Sequence, residues 1–196
     1  MIRIILASQS PRRAELLRML GLQFDVLPAD IDETYLKHEA PIAHAQRLAR
    51  EKAIVMAGQH PDALVVGSDT VVVIDRSVLG KPKDDDEAVR MLMRLQGRTH
   101  RVATGIAVAQ GDHCIAETEI VRVKFRAFDE QTAREYVATR EPMDKAGAYG
   151  IQGYGASLVE WVHGDYFAVM GLPVQRMTRM FEQMGWHYDF NGLKRR

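Results

Sequence analysis

A mixed α/β or α+β fold built on a mixed sheet is predicted by three observations. An apolar strand passes straight into a helix at the start of the chain, a second apolar strand ends on an acidic residue, and a long alternating hairpin fills the middle. Ile2 to Ala7 reads as the first, buried strand. The polar turn Ser8-Gln9-Ser10 follows it, and Ala14, Leu16, Leu17 and Leu20 then recur at helical spacing. Ser10 suits the N-cap, Pro11 the first helical position, and Gly21 a left-handed stop. Gln23 to Leu27 is a short strand and Asp30 to His38 a polar loop. Ile42, Ala45, Leu48, Ala49 and Lys52 share one face of a helix over Pro41 to Ala57, which Gly58 is expected to close.

The run Ala63-Leu64-Val65-Val66 delivers Gly67-Ser68-Asp69-Thr70 to its polar end, where ligands of α/β proteins usually sit. Val71 to Ile74 continue extended to a turn at Asp75-Arg76, and Leu79-Gly80-Lys81-Pro82 makes a second bend. The next helix opens with Asp84, Asp85, Asp86 and Glu87 and closes at Gly97; dipole complementarity accounts for its acidic start without a metal. Val102, Thr104, Ile106 and Val108 alternate with small residues, Gln110-Gly111-Asp112 turns the chain, and His113 to Phe128 is extended. On that second strand Val121, Val123 and Phe125 share the core face, leaving Arg122, Lys124 and Arg126 on a solvated one. Asp129 caps a helix to Thr139, Pro142 breaks it, and a glycine-rich loop starts at Asp144. Leu158 to Val162 reads as the final strand and Pro173 to Met184 as the last helix, stopped by Gly185. The tail from Trp186 to Arg196 carries no clear pattern.

The 196 residues suit one domain, residues 1–196, with room for two small lobes. With 46% hydrophobic and 27% charged residues the composition is that of an ordinary globular protein. Lys and Arg number 26, as do Asp and Glu, so the net charge is zero; this argues against nucleic acid as a partner and makes any basic site local. The single Cys114 fits a reducing compartment and has no second thiol for a zinc cluster. The apolar opening is too short for a signal peptide, and no stretch approaches about 18 apolar residues, so the expected location is the cytoplasm, with no membrane partner.

Several residue groups carry chemistry. Arg12 and Arg13 lie in the first turn of a helix, behind Ser8 and Ser10; cations there oppose the helix dipole unless an anion such as phosphate arrives. Lys52 on an inward helix face and Lys81 in a glycine-proline bend add two more cations. Glu33 supplies a second carboxylate which, with Asp69, would suit a hard divalent cation such as Mg2+ or Mn2+. In the segment from Asp144 to Gly153, glycines permit close backbone approach, and the Gln152 amide can both donate to and accept from a base edge. There is no Walker-type loop and no dinucleotide fingerprint, and neither Ser8 nor Ser10 has a positioned histidine for nucleophilic catalysis.

Taken in order, Ser8-Gln9-Ser10-Pro11-Arg12-Arg13, Glu33, Lys52, Gly67-Ser68-Asp69-Thr70, Gly80-Lys81-Pro82 and the block Asp144-Lys145-Ala146-Gly147-Ala148-Tyr149-Gly150-Ile151-Gln152-Gly153 resemble the Maf family of nucleoside triphosphate pyrophosphatases. The resemblance runs from residue 4 to about residue 174. It implies an elongated mixed β-sheet with flanking helices and a cleft between two lobes, similar to inosine triphosphatases. It also implies hydrolysis of a nucleoside triphosphate to the monophosphate and pyrophosphate with a divalent cation, and a possible homodimer. The segment Asp144 to Gln152 matches the branch that cleaves dTTP and UTP, including modified pyrimidine nucleotides, rather than the 7-methyl-GTP branch. By that resemblance Asp69 is the proton acceptor, Asp69 and Glu33 hold the metal, and Ser8, Arg13, Lys52 and Lys81 bind phosphate. Arg12, Thr70 and Gln152 then select the base. Ser68 departs from the family pattern, which has alanine there. A nucleotide-binding regulator of cell division with little turnover is the alternative from another functional class.

Overall fold

The computed structural model describes residues 2–196, and Met1 lies outside the described residues. Strand β1 (Ile4–Leu6) leads to helix α1 (Pro11–Met19), followed by β2 (Asp25–Val26), α2 (Pro41–Gln59), β3 (Leu64–Ile74) and β4 (Ser77–Leu79). Next come α3 (Asp85–Leu95), the long strands β5 (Thr99–Gln110) and β6 (His113–Phe125), and α4 (Glu130–Ala138). Three short 3-10 turns, Glu141–Asp144, Ala146–Ala148 and Gly153–Leu158, precede β7 (Val159–His163), α5 (Tyr166–Met170), α6 (Val174–Gln183), β8 (Trp186–Tyr188) and β9 (Leu193–Arg195).

The main sheet runs in the order β2-β1-β3-β5-β6-β7, with β4 paired to β3. It is mixed: β1 pairs in parallel with β2 and β3, whereas β3–β4 and β6–β7 are antiparallel. The chain divides into two compact units. Unit 1 comprises residues up to Asp69, Thr104–Glu119 and Gly171–Arg196; unit 2 comprises Thr70–Ala103 and Ile120–Met170.

In unit 1, α2 covers β1 and β3 through Ala49, Ala53, Met56 and Ala57 against Ile5, Val65 and Ala107. In unit 2, the core joins Val72, Val121, Val123 and Phe125 to Leu92 and Leu95 of α3 and Tyr136 and Val137 of α4. Asp84 and Asp129 accept the backbone N–H of Glu87 and Thr132 at the starts of α3 and α4, as the sequence predicts for N-caps.

Local signals misplace some boundaries. Gly58 does not close α2, which runs one residue further to Gln59; helical hydrogen bonding tolerates an interior glycine when the packed face continues. Ser10 occupies the N-cap position of α1 but makes no side-chain cap bond; its own N–H instead donates to Ser8 Oγ at 3.2 Å. The second hairpin strand stops at Phe125, short of Phe128. The unassigned tail forms the β8–β9 hairpin, with Trp186 opposite Arg195.

Candidate active site

Two glycines bring β3 against α2, and Asp69 lies in mid-strand rather than at the polar strand end expected from the sequence, because pairing with β4 carries β3 on to Ile74. A Cβ on Gly67 would lie 2.2 Å from the carbonyl oxygen of Ala49, and one on Gly105 would lie 2.2 Å from that of Ala45. Only glycine permits that approach, and Ala45, Ala49 and Ala53 supply the matching small face. Helix and strand are therefore close enough for Lys52, one position before Ala53, to reach the residue two positions after Gly67. Lys52 Nζ donates to Asp69 Oδ1 at 2.9 Å and pairs with Glu33 Oε1 at 2.6 Å, with the Lys52 side chain only 9% exposed. One ammonium thus bridges the two carboxylates that the sequence singled out.

Glu33 belongs to a loop that would otherwise hang free, since no strand or helix covers residues 30–36. Glu39 and Arg47 tie it down. Glu39 accepts the backbone N–H of Leu36 at 3.1 Å, Arg47 Nε at 2.6 Å and Arg47 Nη2 at 2.9 Å, and shares a bond of 2.9 Å with His44 Nδ1. Arg47 also donates to the carbonyl of Thr34 at 2.9 Å. Its bidentate hold, reinforced by His44 and Leu36, keeps the Glu39 carboxyl down at about 2. Tyr35 stacks on His44 with ring centroids 3.5 Å apart. Partial burial, followed by the negative charge of Asp69 and of Glu39, pushes the Tyr35 hydroxyl up.

The turn after β1 and the start of α1 bring Ser8, Arg12 and Arg13 into the same unit. Arg13 Nη1 donates to Ser8 Oγ at 2.8 Å and Arg13 Nε to the carbonyl of Gly171 at 2.9 Å. Burial lowers the affinity of the Arg13 guanidinium for its proton, Asp69 and Glu33 act in the opposite sense, and Arg12 adds to the burial effect. An arginine stays cationic throughout this range, so Arg13 is a fixed positive charge felt by both carboxylates. Ser68 is fully buried, and its hydroxyl lies 2.8 Å from the carbonyls of both Gly105 and Gly171. Ser8, Arg12, Arg13, Glu33, Lys52 and Asp69 all belong to unit 1.

Thr70, Lys81 and Gln152 belong to unit 2. Thr70 follows Asp69 on β3, Lys81 is exposed in the bend after β4, and Gln152 is exposed between two 3-10 turns. The bend carrying Lys81 is tied to the glycine-rich segment by Gly147 N–H donating to Gly80 O at 3.0 Å. Gly147 has φ 72 and meets Val72, so this turn accepts no larger residue.

A family description, Maf-like protein, matches residues 3–184. The chain belongs to the Maf-like family. Within it, the dTTP/UTP pyrophosphatase of Clostridioides difficile is 48% identical over 182 residues, covering 92% of this chain and 94% of that protein. The dTTP/UTP pyrophosphatase of Aquifex aeolicus is 41% identical over 183 residues, covering 93% and 96%. That of Koribacter versatilis is 47% identical over 182 residues, covering 93% and 94%. Among solved structures, a HAM1 protein from Coxiella burnetii aligns with a TM-score of 0.48 at 20% identity over 81% of each chain.

Within this Maf-like chain the donor set suits a divalent cation of one type. Among the described residues no group of three or more His, Cys, Asp or Glu side chains forms an all-protein cage. Glu33 and Asp69, both drawn to Lys52, are oxygen donors of the kind a hard divalent cation takes. The sequence did not expose Glu39, Arg47, Tyr136 or Glu141, whose roles depend on backbone groups in other segments. The one local signal was Glu141 beside Pro142, an acidic residue at a helix break. Among the described residues no helix is long and apolar enough to cross a membrane.

Proposed function

We propose that this chain hydrolyses dTTP and UTP, and modified pyrimidine triphosphates of the same base pattern, to the monophosphate and pyrophosphate. The observation that carries the reading is Lys52 bridging Glu33 and Asp69 of β3, with the half-buried Arg13 charge acting on both carboxylates. The names of the relatives support the substrate class. Asp69 accepts the proton of the water that attacks the α-phosphorus. Arg13, held by Ser8, together with Lys52 and Lys81, binds the triphosphate through charge-assisted hydrogen bonds. Arg12, Thr70 and Gln152 select the base. Uracil and thymine present a carbonyl acceptor beside a ring N–H donor, a pair that one amide satisfies.

Glu33 and Asp69 would hold the divalent cation, which when bound supplies Lewis-acid neutralisation of charge on the phosphates. Lys52 holds the two carboxylates in place through its ion pairs until substrate and cation arrive.

The test is a panel of UTP, dTTP, CTP and 7-methyl-GTP incubated with the protein and Mg2+ or Mn2+, with products resolved by chromatography. Nucleoside monophosphate and pyrophosphate from UTP and dTTP are expected. Orthophosphate release would move the cleavage site, preference for 7-methyl-GTP would move the chain to the other branch, and no turnover would leave a binding role.

A further inference from the structure

Gln152 is exposed and lies in a segment without regular structure, yet a base-reading amide has to be held to within a fraction of an ångström to discriminate. Both flanks of Gln152 are anchored to one half-buried group, the Glu141 carboxylate. Glu141 Oε1 accepts the hydroxyl of Tyr136 at 2.8 Å and the backbone N–H of Gly155 at 3.0 Å, and Oε2 accepts the backbone N–H of Tyr154 at 2.9 Å. The Tyr136 oxygen in turn accepts the backbone N–H of Gly150 at 3.0 Å. The amides on either side of Gln152 therefore converge on one carboxylate, directly at positions 154 and 155 and through one hydroxyl at position 150.

The surroundings leave that carboxylate little freedom. Arg140 takes a left-handed φ of 66 as the chain leaves α4, and Pro142 follows, so Glu141 lies in a fixed turn. The Nζ of Lys145 donates to the carbonyl of Glu141 and, at 2.6 Å, to Asp144 Oδ1. Gly153 has φ 62, and a Cβ there would fall 2.4 Å from Glu141 Oε2. Gly155 is equally confined: its Cβ would meet the Gly150 carbonyl at 2.2 Å and the Tyr136 hydroxyl at 2.5 Å. The glycines are what allow the loop to wrap one acid. Burial acts to raise the Glu141 carboxyl, but the N–H of Gly155, the Tyr136 hydroxyl, the N–H of Tyr154 and the Lys145 charge together hold it below its ordinary value.

We propose that Glu141, with Tyr136, is a positioning clamp that fixes the Gln152 loop and thereby sets pyrimidine selectivity. This rests on the reading of Gln152 as a base-selecting residue. Glu141 touches no substrate; its effect passes through Gln152. A carboxylate is required because three donors converge on two oxygens. An amide at position 141 would turn its NH2 toward at least one of them, leaving a loop N–H without an acceptor.

The test is a double-mutant cycle. Glu141→Gln and Tyr136→Phe are each made in the native chain and in Gln152→Ala, and kcat/KM is measured for UTP and CTP. The UTP-to-CTP ratio should fall about tenfold with either variant in the native chain, the size of one lost charged hydrogen bond. In the Gln152→Ala background neither variant should move the ratio further. Faster amide exchange at residues 150–155 should accompany Glu141→Gln with no nucleotide present. Equal ratio changes in both backgrounds, or a uniform loss across nucleotides with the ratio intact, would overturn the clamp while leaving Gln152 as the base reader. A Gln152→Ala protein with an unchanged ratio would remove the base-reading role itself, and the clamp with it. Should Glu141→Gln fail to fold, Tyr136→Phe, which keeps the ring packed and removes the Gly150 tether together with the hydroxyl bond to Glu141, decides the question.

Discussion

Glu39 in unit 1 and Glu141 in unit 2 do the same mechanical task by different chemistry. Each carboxylate ties down a loop that carries a residue proposed to act on substrate: Glu39, through the backbone N–H of Leu36 and through Arg47, the loop of Glu33, and Glu141, through two backbone N–H groups, that of Gln152. Glu39 is neutralised by a bidentate arginine and backed by His44, with a side chain only 7% exposed. Glu141 is satisfied mainly by neutral donors, two backbone amides and a phenol. The difference follows from what each loop must tolerate. Next to Asp69 and Glu33 another unpaired negative charge would repel both carboxylates, so Glu39 needs a resident cation. In the Gln152 loop the Lys145 ammonium is taken up by the Glu141 carbonyl and Asp144, and neutral donors make the direct bonds to the Glu141 carboxylate.

The largest effect should come from separating chemistry from selection. Asp69→Asn keeps the shape and a hydrogen-bond acceptor for Lys52 but cannot take a proton, so kcat should fall by about 10²–10⁴ for UTP and CTP alike. Thermal stability should change little. Turnover near that of the unmodified protein would exclude Asp69 as the base, and a change in the UTP-to-CTP ratio would mean that Asp69 itself takes part in reading the base.

Next in size is Glu39→Gln. Hydrogen bonds to charged groups contribute about 1.5–3 kcal/mol, so the variant should lose stability of that order at pH 7. The sign of its pH dependence is fixed by a folded carboxyl at about 2 against an ordinary value of 4.5. The stabilisation is present above pH 4.5 and disappears as pH falls toward 2. Denaturant titrations of both proteins at pH 7, 4 and 2.5 should show curves that differ at neutral pH and converge in acid. No gap at any pH would mean that Arg47, paired with Glu51 at 3.0 Å, holds the loop through the Thr34 carbonyl without needing Glu39.

Much of the scaffold could be read from one-dimensional pattern. The strand-turn-helix opening, the inward Lys52, the Asp84 and Asp129 caps and the alternation on β6 depend on neighbours within four residues, and the structure keeps them. What could not be read lies at longer range. The bonds of Glu141 to Tyr154 and Gly155 span 13 and 14 residues with no periodicity to mark them. Nothing local marks Gly67 or Gly105 as a contact point, because the carbonyls of Ala49 and Ala45 that press on them come from a distant helix. The Lys52 bridge was half legible: helical spacing turned Lys52 inward, but only the close helix-strand contact brings it to Asp69.

Gln152→Glu tests the selective side of the comparison. A carboxylate cannot donate to a base carbonyl, and the mismatch should cost about 1–3 kcal/mol in kcat/KM for UTP and dTTP. CTP, whose amino group can donate to that carboxylate, should lose less or gain. The loop itself should stay clamped, because Glu141 bonds the backbone on either side and not the Gln152 side chain. An unchanged UTP-to-CTP ratio would place the amide away from the base.

The smallest effect is expected at Ser68, where the family pattern has alanine. Its hydroxyl is buried between the carbonyls of Gly105 and Gly171, both 2.8 Å away, yet it has one proton to give. Gly171 O also accepts Arg13 Nε at 2.9 Å, so it keeps a donor when the hydroxyl is gone. Ser68→Ala therefore deprives only Gly105 O of a side-chain donor, and it removes a buried polar atom at the same time. The two terms oppose, leaving a stability loss below about 1 kcal/mol, or about 2–4 °C in Tm at this chain length. Turnover of UTP should change less than twofold, since Lys52 and Asp69 keep their contacts. A loss of tenfold or more would show that the hydroxyl steers Arg13 through the shared Gly171 carbonyl. The phosphate side of the molecule would then be tuned by a buried neutral donor, as the Gln152 loop is, and the division between an ionic unit 1 and a neutral unit 2 would no longer hold.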